Sequence, residues 1–263
     1  MTRRMTAVPT RRAAVALLAA ALLLAAPLTA TAKTAAKPKP KPAPTTTVKP
    51  PPDLKAKVIT ASPFDPRQVR AISKFRSCVG HDYSGHFADG TPERNRSMKH
   101  YVWPVADALT APGKVKVFAP FDGVVALVMA EEHPIGKQVL INTKDGNWQV
   151  RLFHIDPVVI KGSTVKAGQL VGTGAFEPQA FTRSDATQFA SIDIALNAQF
   201  TTARILDGAW DSAFAHLAPP VAAAWAARGV NPTSAVIPKA TRDAAPCTFQ
   251  GVAPSDQLVL TPL

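Results

Sequence analysis

Three of the chain's six histidines fall between residues 81 and 100. His81, Asp82 and His86 lie in a polar, turn-rich stretch with Gly85, Gly90 and Pro92, and His100 closes it. Imidazole and carboxylate groups gathered on one short loop suit a metal centre or another polar site. The same residues also suit plain turn structure, in which Asp82 and His81 satisfy nearby backbone groups. Both readings stand at this point. A second pair of reactive side chains, Cys78 and Cys247, lies near the two ends of the expected folded part. In an exported chain an even cysteine count favours a disulfide, here closing a loop of roughly 170 residues. The alternative is two buried thiols.

The elements that must position these groups are short strands. Val117-Phe-Ala-Pro-Phe-Asp-Gly-Val-Val125 opens one β segment, Gln138–Asn142 another, Trp148–His154 a third, and Gly162–Gly172 ends the run. Apolar and polar residues alternate in short pieces that stop at Gly, Pro, Asn or Asp, which predicts half-buried antiparallel strands joined by tight turns. Further on, Thr201–Leu206 reads as an edge strand or linker. Pro219–Gly229 reads as a short helix, with a Pro pair at its start and Gly229 at its left-handed cap. A helix of this length is marginal alone, so Val221 and Trp225 must pack on the sheet or against the Cys247 segment.

The N-terminus has another purpose. Arg3, Arg4, Arg11 and Arg12 precede the apolar run Ala13–Ala26, and Ala30-Thr31-Ala32 matches a cleavage site, so residues 1–32 read as a signal peptide and the protein as exported. Residues 33–57 form a Lys/Pro-rich spacer of extended, polyproline-like character. It serves as a solvated stalk or as an electrostatic contact with anionic envelope polymers. The formal charge of +12 sits largely in these two segments. Four charges belong to the first and six to the second, leaving about +2 from Val58 onward. A near-neutral folded part presents no basic face, and a nucleic-acid partner is excluded. Residues 58–263 are expected to form one domain, with its core at 98–197 and a tail at 201–263.

The order of these β segments resembles a known family. Val117-Phe-Ala-Pro-Phe-Asp-Gly-Val-Val125, Gln138-Val-Leu-Ile141, Leu152-Phe-His-Ile155 and Val165-Lys-Ala-Gly-Gln-Leu-Val-Gly-Thr-Gly174 are similar to the β core of LytM/lysostaphin-type zinc peptidases, peptidase family M23, which cut peptidoglycan cross-bridges. The resemblance implies a mainly β fold: an M23-like antiparallel sheet core (the duplicated hybrid motif), a loop-rich N-terminal lead-in and a short C-terminal helical segment. Ser97-Met-Lys-His100 also echoes a biotin-acceptor Met-Lys-Met, but it precedes the Ala-Pro-Phe-Asp-Gly strand instead of following it, which argues against that role.

The family holds zinc through an H-x3-D motif and the last His of an H-x-H motif, with a Y-x-H-L histidine and the first H-x-H histidine handling the attacking water. The resemblance places His100 at the first ligand, while the position four later is Pro104, so Asp107 becomes the shifted partner. Leu152-Phe-His-Ile155 gives His154 the catalytic role, and H-x-H becomes Ser191-Ile-Asp193, with Asp193 as last ligand. A His100/Asp107/Asp193 set is oxygen-rich and selects zinc less well than two His and one Asp. Loss of the general base at Ser191 costs about 10²–10⁴-fold in rate. The resemblance therefore implies zinc as a possible cofactor and a domain without efficient catalysis that binds peptidoglycan or an envelope protein or acts as a regulatory module. Its alternative is an active zinc peptidase with rearranged ligands, or with a replacement site of His81, Asp82 and His86 around His100.

Overall fold

The computed structural model describes residues 51–131, 136–176, 190–199, 209–249 and 253–262, all within a compact unit spanning Val48–Leu263. The signal-type segment, most of the Lys/Pro spacer and the Thr201–Leu206 segment lie outside the described residues. The chain runs through β1 (Val69–Ser73), β2 (Gly85–Phe87), β3 (Pro92–Glu93) and β4 (His100–Pro104), then β5 (Lys116–Phe118), β6 (Gly123–Ala130) and β7 (Lys137–Thr143). It continues with β8 (Trp148–Pro157), β9 (Thr164–Val165), β10 (Leu170–Gly174), β11 (Ile192–Ala198) and β12 (Ala209–Asp211). Helices α1 (Pro219–Ala226) and α2 (Lys239–Ala244) precede the final strand, β13 (Gln257–Val259).

The main path of the sheet runs β13-β1-β4-β11-β8-β7-β6-β9, with β5 and β10 paired to each other and β10 also to β8. Pairing is antiparallel except between β12 and β2, which run parallel. The expected strands fall where the alternation placed them: β5 and β6 carry Val117–Val125, β7 covers Gln138–Asn142, β8 covers Trp148–His154, and β9 and β10 lie within Gly162–Gly174. Gly123 lies against the Asn142 carbonyl, where a Cβ would come within 2.2 Å of its oxygen, so the Asp-Gly of the Ala-Pro-Phe-Asp-Gly segment is a packing requirement.

Two unlike faces follow from the register. Ile194 pairs with both Leu152 and His100, and Ile192 with Val102, so these side chains share one face. That face joins the main apolar core with Val150, Leu196, Phe214, Leu217 and Trp225. Asp193 pairs with Tyr101 and Phe153, and Ala195 with Arg151, which puts this set on the opposite face.

Helix α1 ends as the sequence predicted. Pro stands at its first positions, and Gly229 (φ 81°) follows, with the Val230 amide returning to the Trp225 carbonyl at 3.0 Å. Trp225 is buried in the core and donates from Nε1 to Ser62 Oγ at 3.1 Å, so packing holds this short helix.

The cysteines form a disulfide, Cys78–Cys247, with Cα atoms 5.1 Å apart. Around it the lead-in and tail each hold buried ion pairs, and one pair joins them. Glu93 takes two bonds from Arg76, both at 2.7 Å, and one from Arg96 at 2.8 Å, while Arg96 also reaches Asp243 at 2.6 Å. Arg242 pairs with Asp256 at 2.6 Å and donates to the Arg76 carbonyl at 2.7 Å.

Candidate functional site

On the polar face of the sheet, four ionisable side chains form a connected row. Lys99, just ahead of β4, points to the same side as Tyr101 because the two stand two residues apart. Its Nζ donates to Asp193 Oδ2 at 2.7 Å, and both side chains are almost wholly buried. His154 Nε2 stands 3.5 Å from the same carboxylate oxygen, and its Nδ1 is 2.6 Å from Glu131 Oε2. Glu131 Oε1 also accepts the His154 backbone N–H at 3.0 Å. Ser191 Oγ donates to Asp193 Oδ1 at 3.0 Å, and His81 Nε2 lies 3.3 Å from Lys99 Nζ.

The backbone places His154 by a bulge. Between Ile155, opposite Lys137, and Leu152, opposite Val139, strand β8 carries one residue more than β7. His154 absorbs the surplus in the left-handed region at φ 58°, a conformation costing about 1–3 kcal/mol for a residue with a side chain. The bulge turns the imidazole toward Asp193 and leaves it 28% exposed. Aromatic rings close the other sides: Lys99 Nζ is 5.1 Å from the Tyr83 ring centre, 4.6 Å from Tyr101 and 4.5 Å from Phe153.

The charges set one another. Burial pushes the Asp193 carboxyl up, but Lys99 and His154 beside it hold it down at about 2. Burial likewise disfavours a charged His154, yet Asp193 and Glu131 overcome this and lift the imidazole to about 10. Lys99 follows the same logic, burial against Asp193, with a net rise. Around neutral pH the Asp193 carboxylate thus lies between two cations, Lys99 and His154, with Glu131 beyond His154 at the end of the row. Burial also raises Tyr83 to about 12, keeping its hydroxyl protonated beside Arg151.

The sequence-derived residues are distributed differently from the expectation. His154 and Asp193 meet, and His81 reaches their edge through Lys99. His100 points to the apolar face, where Nδ1 is 2.8 Å from the Ser73 carbonyl and Nε2 is 2.9 Å from Ser212 Oγ, with Phe214 packed 4.8 Å away. Burial lowers its pKa to about 4. Asp107 is exposed on the helical turn Ala106–Leu109, past the far end of β4 from Lys99. The expected His100/Asp107/Asp193 set is not brought together in this structure, because alternation along β4 sends His100 to the opposite side from Asp193. The alternative loop site does not assemble around His100 either. Asp82 accepts the Ser84 amide at 3.0 Å as a turn cap, and His86 is exposed on β2.

Zinc does not fit the residues as they stand. A tetrahedral ion needs several lone pairs converging on one point. Here both His100 nitrogens are engaged elsewhere, and a lysine ammonium sits on the Asp193 oxygen a metal would use. Among the described residues, no three His, Cys, Asp or Glu side chains are grouped to hold a metal ion.

Lys99, Glu131 and the aromatic walls are the participants that sequence reasoning missed. One signal was present: in Met98-Lys-His-Tyr101 the alternation that buries His100 on the apolar side places Lys99 with Tyr101 on the other. Lys99 is 2% exposed, which also removes the biotin-acceptor echo.

The chain is a mainly β domain whose strand segments resemble the β core of LytM/lysostaphin-type, M23 proteins. No family model matches the chain. A relative, leukocyte cell-derived chemotaxin-2 from Bos taurus, is 30% identical over 108 residues, covering 40% of this chain and 63% of its own length, so the chain spans less than two thirds of that relative. Similar solved structures include the catalytic domain of the antimicrobial peptidase lysostaphin from Staphylococcus simulans, at 17% identity and TM-score 0.29 over 45% of this chain and 78% of that one. Another is the prophage-encoded M23 protein EnpA of Enterococcus faecalis, at 20% identity and TM-score 0.29 over 47% and 87%. The SpoIIQ–SpoIIIAH pore-forming complex matches at 14% identity and TM-score 0.37 over 59% and 89%.

Proposed function

We propose that the chain is an exported cell-envelope protein whose M23-like domain binds peptidoglycan or an envelope protein without cutting it. The observation that carries this reading is the Lys99–Asp193 ion pair at 2.7 Å. An ammonium on the last candidate metal-ligand position leaves no open vertex for an activated water, and zinc hydrolysis needs that vertex. The signal-type N-terminus and the Lys/Pro spacer support export and display at a distance from the membrane. His154, partly exposed and held by Glu131, gives the bound partner a polar contact at the mouth of the row.

The test uses the purified mature chain. Bound metal is measured by elemental analysis, hydrolysis of purified cell wall is followed with and without chelator, and wall association is scored by co-sedimentation. Co-sedimentation with no zinc and no lysis is expected. Stoichiometric zinc with chelator-sensitive lysis would instead establish the alternative, a zinc peptidase with a rearranged ligand set, and discard this reading.

A further inference from the structure

We infer that the Cys78–Cys247 disulfide latches residues 78–83 as a strap over the polar face of the sheet, so that reducing the bond uncovers Lys99, Asp193 and the rings around them. The inference rests on the proposed function, in which that face meets the partner, and goes beyond it by naming what controls access. Gly80, His81 and Asp82 are exposed, while the groups beneath them are not: Lys99 is 2% exposed and Asp193 is wholly buried. His81 Nε2 reaches Lys99 Nζ at 3.3 Å. The Tyr83 ring packs 5.8 Å from Phe153 and 4.9 Å from Trp210, and its hydroxyl accepts from Arg151 Nη1 at 3.2 Å. Val79 packs on Tyr101 and Trp103. Gly80 makes the close approach possible, since it stands at φ 73° and a Cβ there would come within 2.0 Å of the Tyr101 hydroxyl oxygen.

The bonds that hold the strap are unequal. Ser77 and Tyr83, at its two ends, both bridge to Ser97. Between them the Val79 amide donates to Ser77 Oγ at 3.4 Å and the His81 amide to Tyr101 Oη at 3.3 Å, both long for an N–H donor. Cys78 is the firm anchor: its amide donates to Asp256 Oδ2 at 2.7 Å, and its sulfur is covalently fixed to Cys247. Cys78 is half-buried and so is the more open end of the bond, Cys247 being 8% exposed. A small dithiol attacking there delivers two electrons and two protons, leaving two protein thiols and closing to a disulfide itself. The strap is then held only by hydrogen bonds and the packing of Val79 and Tyr83, and segments held in that way open without the rest of the fold.

The experiment takes the full chain oxidised, reduced with dithiothreitol, and as Cys78→Ser/Cys247→Ser. Hydrogen exchange of the strap amides, acetylation of Lys99 by acetic anhydride followed by mass spectrometry, and cell-wall co-sedimentation are the readouts. In the oxidised form Lys99 should resist acetylation. Reduction, or the double variant, should raise Lys99 acetylation and strap exchange by at least about tenfold while the amides of β7 and β8 stay protected. Wall association should rise several-fold with them. Gly80→Ala keeps the disulfide but forces the strap and Tyr101 apart, so it should raise Lys99 acetylation in the oxidised protein. Protection of Lys99 and the strap that is unchanged on reduction, or lost only together with β7 and β8, overturns the inference. So does a strap that opens while the wall association of the oxidised form stays the same. A strap that opens in a protein sedimenting with no wall in either form strikes the proposed function and leaves the latch standing, so the two failures are distinct.

Discussion

Lys99 and Asp193 are buried as an ion pair, each the nearest opposite charge to the other. Removing one partner of a buried pair strands a charge, whereas replacing both with apolar groups removes the desolvation cost too. Lys99→Met and Asp193→Leu should therefore each destabilise by about 3–5 kcal/mol, and the double variant by much less, as read from denaturant unfolding. An additive double variant would show that the two do not act as a pair. His100 supplies a pH dependence of known sign. Its pKa falls from the usual value to about 4 in the fold, because burial disfavours the imidazolium. The unfolded chain takes up the proton first as pH drops below about 6.5. Stability is thus fully present above that pH and lost on acidification toward pH 4, by about 3 kcal/mol. Urea midpoints followed over this range should show the loss in the wild type, and His100→Gln should flatten it.

At the scale of elements, the sheet was legible and the site only partly so. Strands β5 to β10 announced themselves through alternation and through the Gly and Asp-Gly turns between them, all local signals. The Lys99–Asp193 contact joins residues 94 positions apart, and no local pattern records it. The motif alignment singled out His100, His154 and Asp193, of which the fold brings His154 and Asp193 to one face and His100 to the other. Since side chains alternate along a strand, a one-residue step decides between the apolar core and the charged row. The bulge at His154 was equally invisible, because nothing in Leu152-Phe-His-Ile155 marks a left-handed residue. Cys78–Cys247 was foreseen from count and compartment. It closes a loop of 169 residues, and reducing it should cost about 2–5 kcal/mol. In a domain of this size that lowers Tm by about 5–20 °C, measurable by calorimetry with and without reductant.

For the whole molecule, charge and fold are segregated. The described domain is near neutral, and most of the formal +12 lies ahead of it. Deleting residues 33–50 should leave the melting temperature unchanged, whereas a deletion running to residue 57 also removes Leu54, which packs against the core, and the Ala56 carbonyl that meets His216 Nδ1 at 2.8 Å. Under the proposed function the shorter deletion should also leave cell-wall co-sedimentation largely in place. If association vanishes with the spacer, attachment belongs to the Lys/Pro segment and the domain is a passenger.

The disulfide has a mechanical consequence. Its half-cystines lie at residues 78 and 247, so tension applied between the spacer and the C-terminus is routed through the sulfur bridge and bypasses the 169-residue span that contains strands β2 to β12. Roughly 550–600 Å of contour is thereby withheld from any stretching force. A protein pulled between a membrane and a wall would surrender only β1, β13 and their flanks while the charged row stayed folded.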